Sequence, residues 1–207
     1  MKRGAVNRSK VEWILTQNDP TLSVYYTHVA NRRLVLGKKE LLVDPTLYDL
    51  SKPLAGINEI RHYNKQRFEM EQLTAIVYEN VEAASCVGYK DIADKEFWVP
   101  GHMPGFALMP GVIMCEVAAQ LASYFSTKHR MMAESTTMGF AGLDQVRFRG
   151  MVRPGDRLVM QAKLVTVRKI LISAKFVGLV GDELVCEGVI KGVPLNLAID
   201  EKSGGRK

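Results

Sequence analysis

Residues 101–130 read GHMPGFALMPGVIMCEVAAQLASYFSTKHR, and the fold of the chain follows from this stretch. Two Pro-Gly pairs mark a loop in its first half. Pro110 stands where the first residue of a helix is expected, because proline lacks the N–H that a helix start leaves unbonded. From Val112 to Lys128 nearly every helical position is apolar, which is typical of a helix buried on all sides.

The chain on either side of this helix carries strand patterns separated by turn signals. A short helix from Gly56 precedes them. The predicted strands are Gln72–Glu79 and Ala84–Asp91 around a turn at Glu79-Asn80, a short Phe97–Val99, and, after the helix, Phe140–Phe148, Arg157–Arg168, Leu171–Val180 and Glu183–Val193. Strands of about ten residues joined by short turns indicate an antiparallel sheet. One buried helix among five or six long strands predicts an α+β fold in which the sheet wraps round the helix.

The 207 residues correspond to one domain with appendages. We assign residues 54–197 to the working domain. Residues 1–53 have weak periodicity and are expected to form a partly disordered N-terminal extension, with a short strand at Leu34–Leu36. Residues 198–207 form a polar tail.

Composition excludes several classes of protein. The net charge is +6, yet residues 51–197 carry 17 basic and 15 acidic side chains without a long basic run, which argues against a nucleic-acid partner. No stretch of ~18 apolar residues is present, so no membrane span is expected. The N-terminus lacks the apolar region of a secretory signal. Three widely spaced cysteines suit a reducing compartment, and a cytoplasmic location is expected.

Two polar residues stand out in this apolar region. His102 lies in the Pro-Gly loop, and Glu116 lies inside the apolar helix. A carboxyl group there is costly unless it is paired, protonated or open to a cavity, and the apolar neighbours of Glu116 argue against the alternative of a helix face in water. Gln120 follows Glu116 by four residues, so its amide can hydrogen-bond to the carboxyl and orient it.

Gly111 completes a pattern that predicts chemistry. It lies in the first helical turn, where backbone N–H groups lack partners and can stabilise charge that develops on a carbonyl oxygen. A thioester bound there would have an acidified α-carbon. His102 could remove the α-proton near neutral pH, and Glu116, with a pKa raised by apolar surroundings, could protonate a leaving β-hydroxyl. The predicted reaction is β-elimination of water.

Two blocks of the sequence closely resemble the FabZ-type (3R)-hydroxyacyl-acyl-carrier-protein dehydratases. The first is GHMPG at 101–105 followed by PGVIMCEVAAQ at 110–120. The second is FAGLDQVRFR at 140–149 followed by VRPGD at 152–156. Both blocks keep the order and spacing of that family over about residues 57–195. Two departures are visible: Met103 replaces a phenylalanine, and the stretch 63–74 lacks the prolines and the aspartate of the family's PHRYPFLLVDR segment.

The resemblance implies a hotdog fold, in which a long central helix is wrapped by an antiparallel sheet. It implies homodimers, which assemble as three dimers in many members. His102 and Glu116 match the catalytic pair, which comes from the two subunits of a dimer. Gly111 matches the glycine whose N–H holds the thioester carbonyl, and Gln120 matches the amide that supports the acid.

The resemblance also implies a substrate carried on the phosphopantetheine of acyl carrier protein, an acidic partner, with no metal or redox cofactor. A local basic cluster consists of Arg147, Arg149, Arg153 and Arg157. It either contacts the carrier or its pantetheine phosphate, with Arg147, Arg149 and Arg153 as the candidates, or is a solvated strand edge. We predict dehydration of 3-hydroxyacyl thioesters to trans-2-enoyl thioesters in fatty-acid biosynthesis. The alternatives are a hotdog acyl thioesterase and a non-catalytic module that binds acyl thioesters.

Overall fold

The predicted helices and the long predicted strands are present in the structure, a computed structural model that describes residues 41–131 and 137–195. The predicted strand at Leu34–Leu36 and the predicted tail at 198–207 lie outside the described residues. The elements are β1 Ala55–Gly56, α1 Ile57–Tyr63, β2 Ala75–Asn80, β3 Ser85–Asp91, α2 Gly111–Lys128, β4 Thr137–Phe148, β5 Arg157–Arg168, β6 Leu171–Val180 and β7 Glu183–Leu195.

All seven strands form one antiparallel sheet in the order β1-β2-β3-β5-β6-β7-β4, with α2 against its inner face. Val117, Ala118 and Leu121 of α2 are fully buried in the core. Gly88 of β3 permits this close packing, because a Cβ atom there would stand 3.1 Å from Cδ1 of Leu121 and 2.9 Å from the carbonyl oxygen of Ala75. The predicted α+β architecture, with the sheet around the helix, is confirmed.

The outer face of the sheet carries a second apolar cluster that includes Val43. The buried Gln161 side chain of β5 accepts the N–H groups of Leu42 and Val43 at 2.9 and 3.1 Å and donates to the carbonyl of Val43 at 2.9 Å. Part of the predicted extension, within residues 41–50, therefore packs on the sheet through these hydrogen bonds to Gln161 and through apolar side chains of the second cluster.

A charged network joins α1, β2 and the end of α2. The Lys128 ammonium donates to Glu59 at 2.8 Å and to Glu79 at 2.9 Å, and the Tyr124 hydroxyl donates to the same Glu79 oxygen at 2.9 Å. His129 contacts the other Glu79 oxygen at 2.6 Å. This network holds α1 against α2, and α1 leads directly into the segment of residues 64–72.

Three local predictions were wrong. The turn between β2 and β3 lies at residues 81–84, because β2 continues through Asn80. Phe97–Val99 forms a turn, closed by the Val99 N–H on the carbonyl of Glu96, and not a strand. Pro110 precedes the helix as its N-cap, and Gly111 is the first helical residue.

Neither helix in the part of the chain that the structure describes is long and apolar enough to cross a membrane.

Candidate active site

His102 sits in a loop of residues 100–110 that leads into α2. Its Nδ1 lies 2.6 Å from the carbonyl oxygen of Leu108, and the Leu108 N–H returns a bond of 2.9 Å to the His102 carbonyl. A carbonyl oxygen only accepts, so Nδ1 carries a proton, and in the neutral form of the ring Nε2 is the basic atom. The loop is tied to the chain after β4 by the Met109 N–H, which donates to Val152 at 2.8 Å.

Glu116 is half-buried on α2, one turn before Gln120. The Gln120 amide donates to Oε1 of Glu116 at 2.7 Å, so the contact expected from their spacing is present. The Gln66 amide lies 3.5 Å from the same oxygen. Burial raises the pKa of Glu116 above its usual range, and the two amides only partly oppose that effect. The carboxyl is therefore suited to hold a proton at a higher pH than an exposed glutamate.

The segment of residues 64–72 surrounds the buried Gln120 side chain. The Gln120 amide also donates to the carbonyl of Met70 at 2.6 Å, and its oxygen accepts the N–H of Gln72 at 2.9 Å. The Asn64 amide donates to the backbone carbonyl of Gln120 at 3.0 Å. Sequence reasoning missed Asn64, Gln66 and Gln72, although three amide residues in nine were a visible signal.

Gly111 begins α2, and its N–H has no acceptor among the described residues. The ring of Phe148 occupies the space that a side chain would need, since a Cβ atom on Gly111 would stand 2.6 Å from the Phe148 Cζ. Phe148 itself is 51% exposed on β4. The helix start thus offers an unbonded N–H beside an aromatic wall, which suits a carbonyl oxygen with an apolar neighbour.

The structure brings Glu116 and Gln120 together but gives His102 a separate set of partners. Within residues 41–131 and 137–195, no hydrogen bond links the His102 ring to the Glu116 carboxyl. His102 belongs to the loop before α2, whereas Glu116 faces the 64–72 segment.

The four arginines of the predicted cluster differ in their surroundings. Arg157 is paired with Asp91 at 2.5 Å. Arg147 and Arg149 both pair with the carboxylate of Glu187, and the guanidinium of Arg147 lies 3.7 Å from its Oε1. The Arg153 guanidinium stacks 4.3 Å from the ring centroid of Phe106 and donates to the carbonyl of Ala107 at 3.4 Å. Arg153 therefore lies against the loop that holds His102, without an acidic partner for its side chain among the described residues.

The described ranges contain buried cysteines but no cluster of candidate metal ligands. No group of three or more His, Cys, Asp or Glu side chains is placed there to hold a metal ion. Cys86, Cys115 and Cys186 are free and buried. Burial raises the pKa of the Cys115 thiol, which makes it a poor nucleophile beside Glu116.

Comparisons with known proteins identify the family of the chain. The FabA-like domain matches residues 64–189. The chain is 34% identical over 139 residues to a 3-hydroxyacyl-[acyl-carrier-protein] dehydratase FabZ of Clostridioides difficile (strain 630), an alignment that covers 65% of this chain and 94% of that protein.

Two solved structures show the same architecture. The dehydratase heterocomplex ApeI:P from Xenorhabdus doucetiae has a TM-score of 0.56 at 17% identity, and the match covers 66% of this chain and 91% of the chain in that structure. The uncharacterised protein PH1136 from Pyrococcus horikoshii has a TM-score of 0.51 at 16% identity, and the match covers 70% of this chain and 96% of that protein. These likenesses confirm the predicted hotdog fold.

Proposed function

The chain belongs to the FabA-like domain family, and we infer that it is a 3-hydroxyacyl-[acyl-carrier-protein] dehydratase of the FabZ type. It removes water from 3-hydroxyacyl thioesters to give trans-2-enoyl thioesters in fatty-acid biosynthesis. The site residues and the carrier are the further parts of this proposal. The single observation that carries the site assignment is the half-buried Glu116, which has a raised pKa and an Oε2 atom without a partner among the described residues.

His102 is the general base of the proposed mechanism. Its Nε2 removes the α-proton of the substrate, while the bond from Nδ1 to the Leu108 carbonyl keeps the ring in the required tautomer. The unbonded Gly111 N–H at the start of α2 donates to the thioester oxygen, where negative charge develops as the proton leaves.

Glu116 is the general acid. Its proton passes from Oε2 to the β-hydroxyl as the C–O bond breaks, so water leaves and the electron pair of the former C–H bond becomes the new double bond. The step leaves His102 protonated and Glu116 ionised, and one proton transfer between the two through solvent restores the starting state. The reaction moves protons and the electron pairs of the C–H and C–O bonds, with no net change of oxidation state, so the proposal includes no metal or redox cofactor.

Acyl carrier protein is the proposed partner that delivers the substrate on its phosphopantetheine. Arg153 supports this part of the proposal, because its guanidinium lies against the His102 loop and has no acidic side chain bound to it in the described ranges. An acidic carrier or the pantetheine phosphate would meet this charge. Arg147 and Arg149 are weaker candidates, since they share Glu187.

A homodimer is proposed as the working unit, with His102 of one subunit and Glu116 of the other in each site, and with further assembly into three dimers. Exposed apolar side chains around the site and along the edge strand β4 support self-association; they are Met103, Phe106, Val112, Phe140, Leu143, Phe148 and Met151. A cytoplasmic location is also proposed, in keeping with three cysteines that form no disulfide.

Hydration of trans-2-enoyl thioesters tests the proposal, with carrier-protein and coenzyme A substrates of several chain lengths in parallel. The wild-type protein should add water without releasing thiol, and His102→Ala should lower turnover by about 10²–10⁴-fold. Thiol release would identify a thioesterase instead. Binding without turnover would identify a non-catalytic module, and a His102→Ala variant of normal activity would refute the assigned base.

A further inference from the structure

Two amides point at one oxygen of Glu116. Gln120 donates to Oε1 at 2.7 Å, and Gln66 approaches the same atom at 3.5 Å, the limit of a hydrogen bond. Oε2 has no partner among the described residues. The two oxygens of this carboxyl therefore have unequal surroundings.

This inequality decides where a proton can reside. A protonated carboxyl has one carbonyl oxygen, which accepts, and one hydroxyl, which donates. An oxygen that faces two N–H donors cannot also direct an O–H toward them. The proton of Glu116 therefore belongs on Oε2, the oxygen that is free to meet a ligand.

Hydrogen bonds from Arg67 fix the backbone around Gln66, from which the side-chain amide reaches Glu116. The Arg67 guanidinium donates to the carbonyls of Arg61, Asn64 and Gln66, at 3.1, 2.9 and 2.6 Å. The Gln66 side chain is half-buried, and Glu116 is its hydrogen-bond partner. The Gln72 side chain, by contrast, donates to the backbone carbonyl of Glu69 at 2.6 Å.

We propose that Gln66 is a positioning residue of the dehydratase, which together with Gln120 holds Oε1 of Glu116 so that the acidic proton is presented from Oε2 to the β-hydroxyl of the substrate. This inference rests on the proposed function. It assigns a role to the 64–72 segment, the part of the chain in which the sequence departs from the family pattern.

The pH dependence of dehydration distinguishes a Gln66 that positions Glu116 from a Gln66 that only supports the fold. An amide that donates to a carboxyl lowers its pKa, so removing Gln66 raises the pKa of Glu116 further. Dehydration needs the protonated acid, and activity falls as the pH rises through that pKa. The alkaline limb of the pH profile, at which activity falls as Glu116 ionises, should therefore move to higher pH.

The experiment compares kcat and kcat/KM for dehydration across pH in wild type, Gln66→Met, Gln66→Glu and Lys65→Met. Gln66→Met keeps the length of the side chain without its donor, and loss of one hydrogen bond should lower kcat by about 2- to 10-fold. Gln66→Glu should move the Glu116 limb of the pH profile to still higher pH, because a second carboxylate disfavours ionisation of the first. Lys65→Met, an exposed neighbour in the same segment, should match wild type.

The outcomes are distinct. An inactive wild-type protein would refute the proposed function. An active wild type with neither limb moved in Gln66→Met or Gln66→Glu would overturn the role of Gln66 alone. Unfolding midpoints are measured for every variant, and a lower kcat with an unmoved profile assigns Gln66 to structural support, which also overturns the proposal.

Discussion

The backbone N–H of Gln72 donates to the side-chain oxygen of Gln120 at 2.9 Å, and this contact decides which way the Gln120 amide faces. With the oxygen held by Gln72, the NH₂ group must point the other way, toward Oε1 of Glu116 and the carbonyl of Met70. A backbone group of the 64–72 segment thus orients the amide that supports the acid.

Replacement of Gln120 by Met should lower both stability and activity. The Gln72 N–H, which is buried, would lose its acceptor, and a buried donor left unsatisfied costs about 1–3 kcal/mol. Urea unfolding measures this loss, with Gln66→Met as the matched control, because the side chain of Gln66 bonds only Glu116 among the described residues. Equal stability of the two variants would contradict the orienting role of the Gln72–Gln120 contact.

Replacement of Glu116 by Gln should stabilise the protein at neutral and alkaline pH while it abolishes dehydration. Burial raises the pKa of Glu116 in the folded state, so its contribution to stability is fully present below the ordinary value of 4.5 and is lost as the pH rises through the raised value. A neutral amide avoids this loss. Thermal unfolding of both proteins from pH 4 to 9 checks this pH dependence. The stability of Glu116→Gln relative to wild type should increase with pH, and a variant less stable than wild type at pH 8 would refute the prediction.

Glu79 should show the opposite pH dependence. Burial by itself would raise the pKa of Glu79, but hydrogen bonds from Lys128, His129 and Tyr124 outweigh it and lower the pKa below 4.5. A carboxyl of this kind contributes stability above its unfolded pKa, and that contribution is lost as the pH falls through the folded value. Glu79→Gln should therefore be less stable than wild type at pH 7, and the difference should shrink below about pH 4.5. A difference that persists undiminished in acid would argue against an ionised Glu79.

Replacement of Arg153 by Gln should weaken the use of carrier-linked substrate selectively. If the guanidinium meets an acidic carrier, KM for the carrier-linked substrate rises by about 10-fold, as expected for the loss of a charge-assisted contact, and the effect fades at high salt. KM for a short pantetheine thioester should stay constant. Arg168→Gln, at the far end of β5, is the matched control. An equal loss on both substrates would instead show damage to the His102 loop.

The long elements could be predicted from the sequence because their signals are local. Arg157–Arg168 and Leu171–Val180 have the predicted ends, since runs of strand-forming residues and the turn between them define both strands. The apolar helix was equally clear. The turn between β2 and β3 was placed early because the polar residues Glu79 and Asn80 read as a turn, whereas tertiary contacts of Glu79 keep this stretch in the strand.

Contacts between distant parts of the chain could not be predicted in this way. Gln66 and Gln72 meet α2 across about fifty residues of sequence, and no periodic pattern marks an amide that will bond a backbone group. Gln161 appears in the sequence as an ordinary strand residue, yet it binds Leu42 and Val43 on the outer face of the sheet. The candidate acid was predictable because a carboxyl group in an apolar helix is unusual in itself.

Activity of a hybrid of two inactive variants tests the central claim most directly. His102→Ala and Glu116→Gln chains, carrying different tags, are expressed together, and the dimers that contain both tags are isolated. If each site takes His102 from one subunit and Glu116 from the other, one of the two sites in the hybrid is intact, and the hybrid should show about half of the wild-type dehydration activity. A hybrid as inactive as its parents, beside an active doubly tagged wild-type control, would contradict a site shared between subunits.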